Sequence, residues 1–377
     1  MATNKRISIL LGHTVKLPAT TTGGVEKVFE EIFNKWDDAN YEFNLICRGD
    51  VKKDKVISVT SNKEIIFLKG YKWSSSKFLN VVFSFFWCLQ ARKYLQESDF
   101  IIYNSVFGPL IHIVFRLKGL TSYCDQRGTG KVNYLIPSFT LDRLYAISQI
   151  VRNSWGNKYS HIIKIIPNCI DINYFKFIER YRIKNDSYII VFIGRIIAEK
   201  GVIFLLEALN LLKKKYNLPN IYLNIIGPYE TSKGGDPVYY EKCKNYVRKN
   251  DLESYIGFTG EKTSKEINYY LSKANIFAMS SIWAEAFGIV NIEALATGLP
   301  IVGYKKGALP EIIENEKEGF IVEQTNAESL AEGIVKHYNL SREKKIIMEK
   351  NCRRKAEYYD SKKIAHQYLE DIKEFLT

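Results

Sequence analysis

The most informative segment of the chain is Glu285-Ala-Phe-Gly-Ile-Val-Asn-Ile-Glu293, which runs directly into Ala294-Leu-Ala-Thr-Gly-Leu-Pro300. The residues after Glu285 include a glycine and predict a loop, so we expect a helix to begin near Ile289, with Glu285 ahead of its N-terminus. Backbone N–H groups at a helix N-terminus hold anions. The segment therefore suits a phosphorylated sugar, whose phosphate the amides bind and whose hydroxyls donate to the carboxylates. The alternative is a buried helix with a polar start and one solvated Glu.

Around this segment, short β-branched runs alternate with longer amphipathic ones, which predicts parallel sheets joined by crossover helices. At 377 residues the chain is long for one hydrophobic core and suits two domains. Pro167 and the polar residues that follow it place the domain boundary near 165–185. We expect a helix that begins after Gly23-Gly24 and runs through about Lys35, and strands at 188–193 and 276–279.

Two cationic side chains follow the predicted strand 188–193. Gly194 and Arg195 end that strand, and Lys200 lies at the start of the next helix. Strand ends at the carboxyl edge of a parallel sheet line the ligand crevice. The planar fork of Arg195 and the mobile charge of Lys200 are therefore expected to neutralise a diphosphate. The alternative is a surface ion pair with Glu199 or Glu207.

Several motifs, in order along the chain, resemble those of the retaining glycosyltransferases of family 4, also called glycosyl transferases group 1. The two glutamates read like that family's Glu-x7-Glu motif. Further matches are Gly307-Ala-Leu-Pro-Glu311 (with Ala308 in place of a second Gly), Gly319-Phe-Ile-Val322, Ile166-Pro-Asn-Cys-Ile-Asp171 with Phe175, and Phe192-Ile-Gly-Arg195 with Lys200-Gly201. The resemblance covers most of the chain and is strongest from about residue 165 to 325.

The resemblance implies an α/β fold of the GT-B type, in which two Rossmann-like domains have parallel sheets that face each other across a cleft. Residues 1–170 would form the N-terminal acceptor domain. Residues 171–360 would form the C-terminal domain that binds a nucleotide sugar. The last helix, at about 361–377, would return to pack on the first domain, as it does in the family.

The resemblance also implies roles for residues of the second domain. Three residues would be catalytic: Glu285 would hold the sugar, and Arg195 and Lys200 would stabilise the leaving diphosphate. Glu293 would bind the ribose hydroxyls. The base would be recognised by backbone groups near Gly257–Glu261. The other residues expected at the donor are Gly194, Phe258, Ala286, Phe287, Gly288, Ile289 and Val290, with the amides of Phe287, Gly288 and Ile289 on the sugar and phosphate.

Two turns of the first domain add candidates. By resemblance, Gly23 and Gly24 let backbone amides approach the donor phosphate and the acceptor, although a Gly-Gly pair alone is more often only a turn. The turn 124–128, Cys-Asp-Gln-Arg-Gly, lies where many family members place a His, and it is closer to a subgroup with a Ser-Pro-Arg-Gly-like turn. As catalytic candidates, Asp125 would accept from an acceptor hydroxyl and Arg127 would meet phosphate. The alternative is an Asp–Arg pair within the loop.

Charge is unevenly distributed along the chain. Residues 1–170 carry 23 Lys and Arg against 13 Asp and Glu, so +10 of the net +13 lies in the first half. This indicates an anionic partner, either nucleic acid or an anionic membrane, or else a basic face without a partner. The segment Phe78–Leu89 would be apolar on nearly all sides if helical, and it predicts either shallow membrane insertion or a buried core helix. Its flanking cations are Lys72, Lys77, Arg92 and Lys93.

Cysteines and histidines give no sign of a metal centre. The six cysteines and five histidines show no metal-ligand spacing, and no Asp-x-Asp follows a predicted strand. We therefore expect cytosolic thiols, no metal and no cofactor apart from the donor. No run of about 18 apolar residues is present, so no membrane span is expected.

Together these observations predict a retaining, metal-independent transfer of a sugar from a UDP- or GDP-linked donor to a glycan or lipid-linked acceptor, in the synthesis of a cell-surface polysaccharide or glycoconjugate. Retention through an oxocarbenium-like transition state is implied by the resemblance. The expected location is cytoplasmic, with peripheral contact to the inner face of the membrane and no nucleic-acid partner. The alternatives are a basic nucleic-acid-binding protein without catalysis and another GT-B enzyme such as an epimerase or phosphorylase. The residues do not identify the base, the sugar or the acceptor.

Overall fold

The computed structural model describes residues 4–18, 24–70, 76–126, 136, 138–180, 187–218 and 220–376. These residues divide into two compact units. Unit 1 consists of residues up to 169 together with residues from 361 onwards, and unit 2 consists of residues 170–360.

Unit 1 is built on an eight-stranded sheet with the order β3-β4-β2-β1-β5-β6-β7-β8. Its strands are β1 (Lys5–Leu10), β2 (Tyr41–Gly49), β3 (Lys55–Thr60), β4 (Lys63–Lys69), β5 (Phe100–Tyr103), β6 (Leu120–Asp125), β7 (Arg143–Ala146) and β8 (Ile163–Ile165). All neighbours are parallel except β3 and β4. Strand β1 lies inside this sheet, and its consecutive residues Ile7, Ser8, Ile9 and Leu10 are fully buried, as expected for a parallel strand covered on both faces.

Strand β3 is the one antiparallel member of this sheet, and its sequence does not predict it. All six of its residues are exposed, including Val56, Ile57 and Val59. Apolar and polar residues do not alternate strictly in β3, and no side chain of the strand is buried. The strand therefore lacks the pattern that identifies a half-buried strand. It is defined instead by pairing with β4, in which Ile57 lies opposite Ile65.

The helices of unit 1 that precede unit 2 are α1 (Gly24–Lys35), α2 (Lys77–Ala91), α3 (Gly108–Val114) and α4 (Gln149–Ser154). Helix α1 begins at Gly24, one residue earlier than predicted, ends at Lys35 as predicted, and buries Val28, Phe29, Ile32 and Phe33, which recur at the spacing of one helix face. Within the described residues, every helix is too short or too polar to cross a bilayer.

Unit 2 is built on a six-stranded, fully parallel sheet with the order β11-β10-β9-β12-β13-β14. Its strands are β9 (Tyr188–Ile193), β10 (Ile221–Ile226), β11 (Ile256–Gly260), β12 (Ile276–Met279), β13 (Ile301–Tyr304) and β14 (Gly319–Val322). Its helices are α5 (Val202–Lys214), α6 (Pro237–Lys249), α7 (Ser264–Lys273), α8 (Ile289–Ala296), α9 (Leu309–Ile312), α10 (Ala327–Tyr338) and α11 (Arg342–Ala356). The alternation of strands and helices confirms the predicted α/β class.

Two arginines hold the C-terminus of α8, the helix that follows the glutamate motif. The buried Arg180 guanidinium donates to the carbonyls of Thr297 (2.8 Å) and Ala274 (2.8 Å), and burial lowers the pKa of Arg180 to about 10. Arg353 donates to the carbonyl of Ala296 (2.8 Å). Cations at the last carbonyls of a helix satisfy acceptors that have no intrahelical partner and complement the helix dipole. The short helix α8 is thereby fixed at the end opposite its N-terminus.

The last helix, α12 (Ser361–Leu376), belongs to unit 1. It packs on α1, and the indole N–H of Trp36 donates to the carbonyl of Ala365 (3.0 Å). Asp371 lies 1% exposed on α12 and forms an ion pair with Arg143 on β7, while the hydroxyl of Tyr145 donates to the same carboxylate (3.0 Å). This charged cluster connects the last helix to the sheet.

Candidate active site

The strand order of unit 2 creates a crevice at one point of its sheet. From β9 the chain moves to β10 on one side, and it later returns to place β12 on the other side of β9. Ligands of open parallel sheets bind where the order reverses in this way, outside the carboxyl ends of the strands. The loops that leave β9 and β12 there carry Lys200 and Glu285.

Lys200 and Glu285 form an ion pair across these two loops. Their side chains are 17% and 14% exposed, so the pair is largely shielded from water while remaining accessible from the crevice. Neither Lys200 nor Arg195 pairs with Glu199 or Glu207 among the described residues, so the alternative of a surface ion pair with those glutamates is not what the structure shows.

Ser281 is part of the same cluster, although the sequence motif does not include it. Its hydroxyl donates to Oε1 of Glu285 (2.7 Å), the oxygen that also meets Lys200. Burial alone would raise the pKa of Glu285, but the charge and hydrogen bond of Lys200, followed by the hydrogen bonds of Ser281 and Trp283, outweigh it and lower the pKa. The carboxylate is therefore ionised, and its partners orient it.

Glycines allow the surrounding loops to approach each other closely. Gly201 has φ +65°, and a Cβ there would overlap the carbonyl of Ser280. Gly307 has φ +57°, and a Cβ there would overlap the backbone of Glu285. The loop after β13 also holds the glutamate loop through Ala308, whose N–H donates to the Glu285 carbonyl (2.9 Å). Gly307 of the predicted Gly-Ala-Leu-Pro-Glu motif thus shapes the site through backbone packing.

The Lys306 side chain adds a contact that the sequence does not reveal. Its ammonium donates to the carbonyl of Ile282 (3.0 Å), inside the loop that carries Glu285. No feature of the sequence distinguishes Lys306 from Lys305, which pairs with exposed Glu323 instead (2.9 Å). Only the three-dimensional proximity of the loops after β12 and β13 identifies it.

Helix α8 begins at Ile289, as predicted, directly after the loop that contains Glu285. Gly288 precedes it with φ 82° and ψ 80°, a left-handed conformation that a side chain would strain, and no side chain caps the helix. The first-turn N–H groups of Ile289 and Val290 therefore have no intrahelical acceptor. Ala286, Gly288, Ile289 and Val290 are all partly exposed, whereas the Phe287 ring is buried against Tyr359 (5.6 Å between ring centroids). Phe287 can offer a ligand its backbone but not its side chain.

Glu293, the second acid of the motif, lies one helical turn further along α8 and is only 2% exposed. Burial raises the pKa of Tyr174, and the charge of Glu293 adds to that effect, which places the two side chains near each other. Contact between Glu293 and a ribose stays a prediction.

Gly194 and Arg195 follow β9, as predicted, and differ from Lys200 in exposure. Arg195 is exposed and donates to the carbonyl of Gly234 in the loop after β10 (3.3 Å). A Cβ on Gly194 would lie 3.1 Å from the Phe192 ring and 3.6 Å from Lys200 Cδ. A small residue at 194 therefore leaves room for the Lys200 stem beside the sheet edge.

Phe258 lies on β11 in a cluster of aromatic rings. Tyr229 and Tyr240 stack at 4.2 Å, and Phe258 meets Tyr240 edge-on at 5.2 Å. Lys233 and Glu261 form an ion pair (2.9 Å) beside this cluster. These contacts link the loop after β10 to the end of β11, where base recognition is predicted.

The first-domain candidates are only partly covered by the described residues. Gly23 and Arg127 lie outside them, and Gly24 is the first residue of α1. Asp125 ends β6, but it is 1% exposed and accepts a hydrogen bond from the indole of Trp155 (2.8 Å). The Asp125 carboxylate is therefore directed to a buried donor thirty positions along the chain, and its contact with an acceptor hydroxyl stays a prediction.

The thiols and three of the histidines, His13, His112 and His337, are buried, whereas His161 and His366 are exposed. All six cysteines are buried and free. Among the residues the structure describes, no cluster of three or more His, Cys, Asp or Glu side chains is arranged to hold a metal ion.

Residues 173–357 match the family model of glycosyl transferases group 1. An uncharacterized glycosyltransferase of Haemophilus influenzae is 24% identical over 92% of this chain and 96% of its own length. A putative colanic acid biosynthesis glycosyltransferase of Escherichia coli, WcaL, is 23% identical over 48% of this chain and 44% of its own. This second alignment spans less than half the length of that relative.

Solved structures show the same fold over the whole chain. Sucrose-phosphate synthase from Thermosynechococcus elongatus superimposes with a TM-score of 0.80, 18% identity and coverage of 99% of both chains. Anabaena Alr3699/HepE, in complex with UDP and glucose, superimposes with a TM-score of 0.75, 18% identity and coverage of 98% of this chain and 100% of that one. The fold is therefore GT-B, as predicted.

Proposed function

We propose that this chain, whose residues 173–357 belong to glycosyl transferases group 1, transfers a sugar with retention and without a metal from a UDP- or GDP-linked donor to a glycan or lipid-linked acceptor. The class of enzyme, a nucleotide-sugar-dependent glycosyltransferase, follows from the family match and the relatives. That class sets aside the alternative of a nucleic-acid-binding protein without catalysis.

The observation that carries the proposal is the shielded pair of Lys200 and Glu285 at the strand-order reversal, directly ahead of the α8 N-terminus. When the bond between the sugar and the diphosphate breaks, its electron pair leaves with the diphosphate. Lys200 and the first-turn N–H groups of Ile289 and Val290 are then positioned to stabilise the growing negative charge. Preorganised donors in a site of low polarity are often the largest single contribution to catalysis.

Glu285 has a different role from the cations. Its ionised carboxylate accepts from Lys200 and Ser281, and we assign its remaining capacity to accept hydrogen bonds to the hydroxyls of the donor sugar. Arg195 is more exposed and reaches the loop after β10. We assign it to the diphosphate as a mobile charge that closes on the bound donor.

The nucleoside would extend from the diphosphate towards β11. Glu293 would accept from the ribose hydroxyls, and the base would meet the backbone near Phe258, beside the stacked rings of Tyr229 and Tyr240. HepE in complex with UDP and glucose supports a uridine donor. Several wholly backbone contacts would also accept guanosine, so both bases belong in the test.

Metal independence is proposed because the positive charge needed at the leaving group is already supplied by protein groups. Lys200, Arg195 and the α8 N-terminus would take the part that a divalent ion takes in metal-dependent enzymes. No cofactor besides the donor is proposed.

The proposed acceptor is a glycan or a lipid-linked saccharide at the cytoplasmic face of a membrane, with unit 1 in peripheral contact with the lipid. The +10 charge of residues 1–170 supports an anionic surface as partner, since each Lys or Arg near such a surface contributes about 1 kcal/mol. WcaL supports synthesis of a cell-surface polysaccharide or glycoconjugate.

Donor hydrolysis tests the reaction. Purified protein is incubated with UDP- and GDP-linked hexoses, with and without a chelator, and the released sugar is resolved by NMR before its anomers equilibrate. We expect release from one donor class that the chelator does not change, and the α-anomer from an α-linked donor. An absolute requirement for divalent metal, or release of the inverted anomer, would refute the corresponding part of the proposal. A thermal-shift panel of the same donors identifies the base independently of turnover.

A further inference from the structure

Helix α2 turns two polar residues, Asn80 and Ser84, inward together with Trp87, while five large apolar residues face outward. Its buried face carries Asn80, Ser84 and Trp87; the Ser84 hydroxyl bonds with that of Ser105 (3.0 Å), and the Trp87 indole donates to the carbonyl of Leu11 (2.8 Å). The outward side chains are 37–73% exposed and comprise Phe78, Leu79, Val81, Phe85 and Phe86. A surface helix in water has the opposite arrangement. Neither sequence expectation, insertion or core, predicted this division between the faces.

Helix α3 repeats the arrangement on a smaller scale. Its polar residue, His112, is 6% exposed and lies 3.2 Å from the hydroxyl of Tyr103. Leu110, Ile113 and Val114 are 40–61% exposed and follow the i, i+3, i+4 spacing of one helix face. Because two neighbouring helices both bury polar side chains and expose apolar ones, we infer that one function accounts for both arrangements.

The two outward faces form one continuous surface. Helices α2 and α3 are in contact, and the rings of Phe85 and Phe107 meet edge-on at 6.0 Å. The Arg92 guanidinium lies 4.4 Å above the ring of Phe115, the residue that directly follows α3. We name this the α2–α3 surface; it comprises Phe78, Leu79, Val81, Phe85, Phe86, Leu110, Ile113, Val114 and Phe115. Apolar patches of this extent on a soluble face mark protein or membrane contacts.

Charge at the edge of the surface identifies its partner. Arg116 and Lys118 directly follow α3 and are exposed, with no ion pair among the described residues, and Arg92 lies over Phe115. Lys93 is exposed too, although it pairs with Asp54 (2.8 Å). An apolar face with a cationic edge matches the boundary between acyl chains and anionic headgroups.

We propose that the α2–α3 surface docks on an anionic bilayer, with its apolar side chains at the headgroup–acyl boundary and Arg92, Arg116 and Lys118 at lipid phosphates. The proposal rests on the proposed function only for the reason that a lipid-linked acceptor would be met there. It assigns half of the docking surface to α3, which carries no sequence signal for membrane contact.

Cosedimentation with phosphatidylcholine vesicles, with and without phosphatidylserine, tests the surface. The α2 variant is Phe78→Ser/Val81→Ser, and the α3 variant is Ile113→Ser/Val114→Ser. The control is Ile347→Ser/Val238→Ser, which matches the residue types of the α3 variant at positions of unit 2 that are 58% and 81% exposed. We expect each surface variant to weaken binding to anionic vesicles roughly tenfold or more, and the control to bind as the wild type does.

A charge variant separates the electrostatic part. Arg116→Gln/Lys118→Gln should weaken binding to anionic vesicles by about tenfold at low salt and reduce its salt dependence. Circular dichroism melting confirms that the variants fold. Hydrolysis of a soluble donor should be unchanged in all of them; if no variant or wild type hydrolyses donor while vesicle binding persists, the proposed function fails and the docking surface stands.

Three outcomes would overturn the proposal. The first is a wild-type protein that ignores anionic vesicles at low salt. The second is an α3 variant that binds like the wild type. The third is a wild-type dimer that the α2 and α3 variants convert to monomer in sedimentation, without vesicle binding, because the surface would then join two copies of the chain.

Discussion

Lys200 and Glu285, from loops that leave neighbouring strands of one parallel sheet, form an ion pair that is largely withdrawn from water. Their 85 residues of separation in sequence are bridged because β9 and β12 pair directly. A charged pair in this position has too much desolvation cost to be a good source of stability alone. Its placement directly ahead of the α8 N-terminus instead supports the proposed catalytic role.

Removing either member of this pair should abolish most turnover. We expect Lys200→Ala and Glu285→Ala each to reduce kcat by ~10²–10³, because a preorganised charge is lost where charge develops. Steady-state kinetics on the identified donor measure the effect. Lys305→Ala is the control, because Lys305 directly precedes Lys306 in the loop after β13 but forms an exposed pair with Glu323. Activity within a few-fold of wild type in both site variants would remove the assignment.

Ser281→Ala should change the pH dependence of catalysis. The Ser281 hydrogen bond favours the ionised form of Glu285 and contributes to its lowered pKa, so its loss raises that pKa. If the carboxylate is the active form, the acidic limb of the kcat/KM profile moves to higher pH. Ser281→Thr keeps the hydroxyl and should restore the limb. A uniform loss of rate with an unmoved profile would assign Ser281 a packing role only.

Glu293→Ala should act mainly on nucleotide affinity. A ribose contact is made in both ground and transition states, so its loss raises KM and the Kd of the nucleoside diphosphate while kcat changes little. Titration calorimetry with UDP and GDP measures the Kd directly. Because Glu293 is buried, melting temperature is recorded alongside. A fall in kcat at unchanged Kd would contradict the ribose role.

His337 should make unit 2 less stable in mild acid. Burial lowers its pKa from 6.5 to about 3, so the folded state excludes a proton that the unfolded chain binds. Stability is therefore complete above pH 6.5 and declines as pH falls towards 3, by about 2 kcal/mol between pH 7 and pH 5. Urea unfolding of wild type and His337→Gln at both values tests this. The variant should lose that part of the pH dependence; identical slopes would show that His337 titrates normally.

Asp371→Ala should destabilise unit 1 far more than its neighbour Lys373→Ala does. Asp371 is 1% exposed and pairs with Arg143, and breaking a buried pair by removing one partner costs about 3–5 kcal/mol. Lys373 pairs with Glu370 and with the less exposed Asp38, and its own side chain is 30% exposed. Pairs near the surface are worth about 1 kcal/mol or less. Calorimetric melting compares the two. Equal shifts would mean that the Arg143 cluster contributes no more than a surface pair.

The sequence predicts those parts of the site that depend on local structure. The start of α8 at Ile289, the loop before it and the strands on either side follow from glycine placement and β-branched runs. The partners of these residues depend on long-range packing, which no local pattern records. Ser281 and Lys306 make their contacts only because β12 and β13 are neighbours in the sheet. Asp125 makes its contact only because Trp155 packs beside the end of β6.

The outward faces of α2 and α3 lie beyond sequence prediction for a related reason. An apolar helix reads the same whether its large residues meet a core or face outward. The small polar residues Asn80 and Ser84 indicate which face of α2 is turned inward, because both lie on that face. That indication is clear only in the structure, where the Ser84 hydroxyl bonds with that of Ser105.

The position of α12 in unit 1 has a consequence for how the protein is made. Residues 170–360 are synthesised before residues 361–376, so every residue of unit 2 exists while unit 1 still lacks the helix that packs on α1 and pairs with Arg143. Domains generally fold as they emerge from the N-terminal side, but in this chain the first unit to start is the last to finish. A chain truncated after residue 360 would hold every residue of unit 2 but would leave unit 1 without the helix that packs on α1.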